Sequence, residues 1–81
     1  MIDTNAVRDA VASNIRAARA RAQLSQTQVA EGMRDRGCKW HFQTVGAVER
    51  SKRPVAAEEL IALAEVLGAA PETLWRVPLT G

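Results

Sequence analysis

The chain has 81 residues, 47% of them apolar and 25% charged, with a net charge of +2. That length supports one domain with a single modest core, and that apolar share excludes a disordered chain. Cys38 is the only cysteine, which excludes an internal disulfide, and no apolar run reaches signal-peptide or membrane-spanning length, so the cytoplasm is the expected compartment.

Asp3, Thr4 and Asn5 are N-cap residue types, and Val7, Val11, Ile15, Ala18 and Ala22 then recur at steps of four, four, three and four. A first helix is predicted from about residue 5 to 22. Ser25 with Gln28 three residues on is a capping box, and Leu24 stands where a hydrophobic staple to Val29 forms. The second helix therefore starts at Ser25, carries Val29, Ala30 and Met33 inward and stops at Gly37. If His41 caps a third helix, Trp40 and Val45 make a second staple. That helix runs over about 42–50, with Val45 and Val48 inward and Phe42, Gln43, Gly46, Ala47 and Arg50 on the opposite side. Ser51-Lys52-Arg53-Pro54 is a basic loop. A fourth helix over 56–67 buries Leu60, Leu63, Ala64 and Leu67 and ends at Gly68. Pro71 starts a short fifth helix with Leu74 and Trp75, and residues 78–81 fray. No strand pattern, repeat or interdomain linker interrupts the series, so the expected fold is an all-α, compact five-helix bundle in one domain spanning 1–81, with its core between residues 5 and 76.

Charge is uneven along the chain. Residues 1–30 carry four Arg against two Asp; residues 31–53 carry Arg34, Arg36, Lys39, Arg50, Lys52 and Arg53 against Glu31, Asp35 and Glu49; residues 54–81 carry Arg76 against four Glu. The basic excess brackets the second and third helices, where a polyanion binds. Two short helices joined by a Gly-containing turn, with basic residues on both sides, present a helix to a DNA groove.

Ile15-Arg16-Ala17-Ala18-Arg19, Leu24-Ser25-Gln26, Val29-Ala30, Thr44-Val45, Val48-Glu49-Arg50, Lys52-Arg53-Pro54, Leu60, Leu63-Ala64, Leu67-Gly68 and Leu74 together resemble the Cro and lambda-repressor-like, or xenobiotic-response-element type, helix-turn-helix family. The resemblance covers nearly all of residues 11–76 and places the helix-turn-helix at about 25–50. Two departures stand out. The stretch from Glu31 to Lys39 is longer than the family norm, which makes an extended second helix and turn. Ser51 stands where the family has glycine after the third helix, which implies a left-handed or adjusted turn there.

The resemblance implies base contacts from Phe42, Gln43, Gly46 and Ala47. Gln43 can pair bidentately with adenine, and Phe42 can lie against a thymine methyl unless it tucks into the core. Glycine in an exposed helix interior costs about 1 kcal/mol relative to alanine, so the bare side at Gly46 and Ala47 points to close approach of the helix backbone to a surface. Phosphate contacts are expected from Gln26, at the start of the second helix where free N–H groups favour an anion, from Lys39 and His41 before the third helix, and from Arg50, Lys52 and Arg53 after it. By resemblance, Arg19 and Glu49 form a structural ion pair between the first helix and the end of the third. Cys38 and His41 are two metal ligands where zinc needs three or four, so no metal is expected, and no cofactor. Nothing supports catalysis: the chain has one His, one Cys and no Gly-rich phosphate loop, and Glu58-Glu59 reads as the acidic first turn of the fourth helix.

The expected function is a non-enzymatic, sequence-specific double-stranded DNA-binding transcriptional regulator, a repressor by resemblance. The abundance of alanine and the preference for arginine over lysine fit a GC-rich bacterium or its phage. Two alternatives stay open: an antitoxin-type or adaptor protein using the same fold to hold a protein partner, and an architectural DNA binder with little sequence preference. Relatives often dimerise on half-sites about 34 Å apart; here a homodimer is expected through Leu74, Trp75 and Val77, with Leu79 adding apolar surface for a partner.

Overall fold

The computed structural model describes residues 3–78; Leu79 and the last residues of the tail expected to fray lie outside them. Five helices follow one another: α1 (Thr4–Ala22), α2 (Gln26–Asp35), α3 (Phe42–Glu49), α4 (Ala57–Leu67) and α5 (Pro71–Trp75). There are no strands among the described residues, and the all-α five-helix expectation holds.

Local chemistry sets the helix ends. Asp3 caps α1 by accepting from the Asn5 N–H at 2.9 Å. The α2 capping box is complete: the Gln28 N–H donates to Ser25 Oγ at 3.0 Å, and the Ser25 N–H donates to Gln28 Oε1 at 2.8 Å. At α3 only half of such a box forms. The His41 side chain makes no cap bond, while the His41 N–H donates to Thr44 Oγ1 at 3.2 Å. Gly37 (φ +86°) and Gly68 (φ +64°) turn the chain out of α2 and α4 in the left-handed region, as expected. Ser51 adopts the same region (φ 62°) without glycine's freedom, and its hydroxyl donates to Asp9 Oδ1 at 2.5 Å.

The core is assembled from Ile15, Val29, Met33, Val45, Val48, Leu63 and Leu74, each almost wholly shielded. A Leu buried this way contributes about 1.5–3 kcal/mol. The α1 stripe differs at its start from the periodic reading. Ala12, Ile15 and Ala18 are buried, whereas Val7 and Val11 are half-buried, because they border an open hollow shared with Val48, Pro54 and Val55. The connector between α2 and α3, residues 36–41, is anchored by Trp40. Its ring is buried, its indole N–H donates to Glu59 Oε2 at 2.9 Å, and its carbonyl accepts from Arg34 Nη1 at 2.6 Å. The second staple residue, Val45, is buried as well.

Two contacts tie the bundle together at its edges. Asn14 Nδ2 donates to the Leu74 and Arg76 carbonyls at 3.0 and 2.8 Å, closing α5 onto α1. Leu74 is therefore core, completely buried, and the expectation that it lines a dimer surface is corrected: its side chain is consumed by its own protomer. Trp75, at 46% exposure, points outward. On the other edge Gly32 admits Val66 of α4 so closely that a Cβ there would lie 2.9 Å from Val66 Cγ1. Valine is stiff at χ1 and cannot swing aside. Gly32→Ala, although it improves helix propensity, should lower stability by about 1–2 kcal/mol through overpacking, measured as a fall in the urea midpoint at unchanged m-value.

Candidate nucleic-acid interface

One face of α3 is shut into the protein and the other is open. Val45 and Val48 are buried, while Phe42 is 51% exposed, Gln43 is exposed and Ala47 is half-buried. The open face begins at the helix N-terminus, the end that a groove-reading helix presents.

The buried carboxylate of Glu49 sets how α3 is held. Arg19 reaches it from α1 with Nε at 2.6 Å from Oε2 and Nη2 at 2.9 Å from Oε1, a bidentate pair with the carboxylate side chain only 4% exposed. The Glu49 hydrogen bonds raise the Arg19 pKa further above its ordinary value. Arg19 Nη1 also donates to the Leu24 carbonyl at 3.0 Å, Gln26 Nε2 donates to Glu49 Oε1 at 3.2 Å, and Arg16 Nη1 donates to the Glu49 carbonyl. The end of α1, the start of α2 and the end of α3 thus meet at one acid.

A second carboxylate, Glu59 at the start of α4, holds both flanks of α3. Besides the Trp40 indole from the preceding connector, it accepts from Arg53 in the following loop, with Nη1 at 3.0 Å from Oε1 and Nη2 at 2.9 Å from Oε2. The Ala56 N–H donates to Oε1 at 2.9 Å, and the Arg53 guanidinium lies 5.1 Å from the centroid of the Trp40 ring. The Arg53 pair, outweighing desolvation and helped by the Ala56 and Trp40 donors, lowers the Glu59 pKa from 4.5 to about 2.

Against this frame the expected phosphate contacts divide. Lys39, His41, Arg50 and Lys52 are exposed, and none takes part in an ion pair among the described residues. Lys39 and His41 rim an open hollow beside the start of α3, with Arg34, Gly37 and Cys38. Gln26 is half-buried, with its amide nitrogen turned to Glu49. Arg53 also braces the fold: both of its terminal nitrogens bond Glu59, and Nη1 donates to the Pro54 carbonyl as well. Gly46 is buried, and what comes close to it is the chain's own Arg50 and Gln26: a Cβ there would lie 2.9 Å from Arg50 Nη1 and 3.7 Å from the Gln26 amide. Glu59 as a hub and Arg16 as a donor to Glu49 escaped the sequence reading. The spacing Ala56-x-x-Glu59, half of a capping box, was the one local signal for the first. Among the described residues no three His, Cys, Asp or Glu side chains gather as a metal site, and no helix is long and apolar enough to cross a membrane.

Residues 10–76 match the family described as helix-turn-helix domain. The chain belongs to that family. The Cro and lambda-repressor-like resemblance read from the sequence holds, with the class that goes with it: a DNA-binding regulator of transcription. Two solved structures share the helix-turn-helix fold. The restriction-modification controller protein C.AhdI from Aeromonas hydrophila superposes with a TM-score of 0.77 at 29% identity, over 90% of this chain and 99% of that one. A hypothetical transcription factor, NHTF, from Neisseria superposes with a TM-score of 0.77 at 28% identity, over 96% of this chain and 84% of that one. No curated protein matches the chain.

The two carboxylates make separate predictions. Arg19→Met strands a buried Glu49 charge and should cost about 3 kcal/mol. Glu49→Gln leaves Arg19 free to turn to solvent and keeps one hydrogen bond, so it should cost about 1–2 kcal/mol; chemical denaturation of both variants checks the order. Glu59 has a lower pKa folded than unfolded. Its contribution is therefore complete above about pH 5 and is lost as pH falls from 4.5 toward 2. With Arg53 partly open to solvent, the loss should be about 1–2 kcal/mol, visible as a shallower pH dependence of unfolding in Glu59→Gln.

Proposed function

We propose that this chain recognises a specific double-stranded DNA site in a bacterial or phage setting, in the cytoplasm and without enzymatic activity, and represses transcription there. The observation that carries the reading is the division of α3: Val45 and Val48 hold it from behind, the buried Glu49 fixes its end, the half-buried Glu59 holds the connector before it and the loop after it, and Phe42 and Gln43 stand free on its outer face. Gln43 offers the amide that pairs with an adenine edge, Phe42 offers a ring for a thymine methyl, and Ala47 allows the helix close to the groove floor. Lys39 and His41 on one side and Lys52 on the other supply phosphate contacts, with Gln26 at the start of α2. Both structural neighbours are regulators by name, one a restriction-modification controller protein and one a hypothetical transcription factor, which supports regulation as the outcome.

Pairing of two copies through Trp75 and Val77 is part of this reading. Trp75 is a large apolar side chain left 46% exposed at the end of α5, with Val77 half-buried beyond it. The pairing places two α3 helices on successive turns of one duplex face.

Binding titrations on a duplex selected from a random pool, and on unselected duplex, test the whole reading across salt concentrations. Gln43→Ala should weaken the selected duplex by about 1–3 kcal/mol and leave unselected duplex nearly unchanged. Lys52→Ala should weaken both alike and flatten the salt slope by about one. Trp75→Ala should abolish cooperative occupancy of paired half-sites. Equal affinity of the parent protein for both duplexes would replace the reading with architectural binding, and no binding to either at low salt would favour a protein-interaction module.

A further inference from the structure

The sequence assigns Arg50 to a phosphate, but its placement argues for another partner. Arg50 is the C-cap of α3, yet its guanidinium lies back beside Gly46. It folds back along the helix by one turn, so that Nη1 lies 2.9 Å from the place a Cβ on Gly46 would occupy, with the Gln26 amide 3.7 Å from the same point. Side chains lean toward the helix N-terminus, and residues 42, 46 and 50 share a face, so the guanidinium fills the outer-face position that a side chain at residue 46 would hold. Arg50 is exposed and has no carboxylate or carbonyl partner among the described residues. The neighbouring Arg19 and Arg53 forks are both taken by internal carboxylates.

We infer that Arg50 reads the edge of a guanine in the major groove, and that residue 46 is glycine so that the guanidinium can lie there. The inference rests on the DNA-binding reading above. An unpaired guanidinium is a planar fork of donors with no acceptor, and guanine O6 and N7 are the acceptor pair in the groove that such a fork matches. A phosphate contact needs only a charge beside the duplex, which Lys39 and Lys52 already supply at the two ends of α3; it does not need a vacancy on the outer face of the helix. Glycine weakens a helix interior, and the space taken by Arg50 gives the reason for tolerating it at residue 46.

The test uses the full chain and a duplex selected from a random pool, with each G·C pair of that duplex changed in turn to A·T. Affinities are measured for the parent protein, Arg50→Ala, Arg50→Lys and Gly46→Ala. One G·C to A·T change should weaken the parent roughly ten-fold and leave Arg50→Ala almost unaffected. Arg50→Lys should keep the affinity for unselected duplex and retain only part of the guanine preference, because an ammonium keeps the charge and can still donate to O6 or N7 but lacks the planar fork. Gly46→Ala should lose that preference with Arg50 still present, while its thermal midpoint rises by a few degrees and shows that the variant is folded. If Arg50→Ala weakens selected and unselected duplex by the same factor, or keeps the parent's guanine preference, Arg50 is not a base reader and the proposed function stands without it. A parent protein with no preference among duplexes would remove the proposed function and this inference together.

Discussion

The structure depends on one carboxylate that water cannot reach. Taking the Glu49 charge out of solvent costs several kcal/mol, and only a well-formed partner offsets that cost. Arg19 meets the requirement with two parallel bonds, and its remaining nitrogen closes the turn before α2 at the Leu24 carbonyl. Because the pair tolerates little misalignment, it fixes the end of α3 against α1, and Arg16 repeats the constraint on the Glu49 carbonyl. What the pair contributes is orientation more than raw stability: the outer face of α3 is aimed by bonds made behind it.

The cations of this protein divide by chemistry. Arg16, Arg19, Arg34, Arg36 and Arg53 point their forks at carbonyls or carboxylates of the chain itself, where bidentate or directed bonding is required. The two lysines, Lys39 and Lys52, stand exposed on either side of α3. An ammonium is a strongly hydrated point charge on a flexible stem, suited to a phosphate whose place varies slightly from one duplex to another. A net charge of +2 conceals this sorting: Arg19, Arg36 and Arg53 are neutralised by carboxylates of the chain itself, whereas Lys39, Arg50 and Lys52 stand beside α3 with no ion pair among the described residues.

The helices were legible because their signals are local. The Ser25–Gln28 box, Pro71 and the glycines at 37 and 68 act within a few residues, and the structure places helix boundaries where they fall. The inward set of α3 was equally plain from spacing. The Arg19–Glu49 pair came only through resemblance, since thirty residues separate its members. What escaped depends on distant partners. Gly32 and Gly46 look alike in sequence, yet one admits a rigid valine from α4 and the other a flexible arginine from its own helix. Lys52-Arg53 looks uniformly basic until Glu59 separates the free charge from the held one, and Leu74 and Trp75 look equally sticky until Asn14 draws the end of α5 inward.

Glu59 sits in the first turn of α4 and grips both the residue before α3 and the loop after it, so those two helices turn as one piece. A reading head fused to its own scaffold has no private hinge. In the proposed pairing of two copies, the separation of the two heads along a duplex would then be set by the angle at which α5 meets its counterpart. Spacing between half-sites and the letters within each half-site become independent variables, and evolution or an engineer can retune one by altering a surface that never touches nucleic acid.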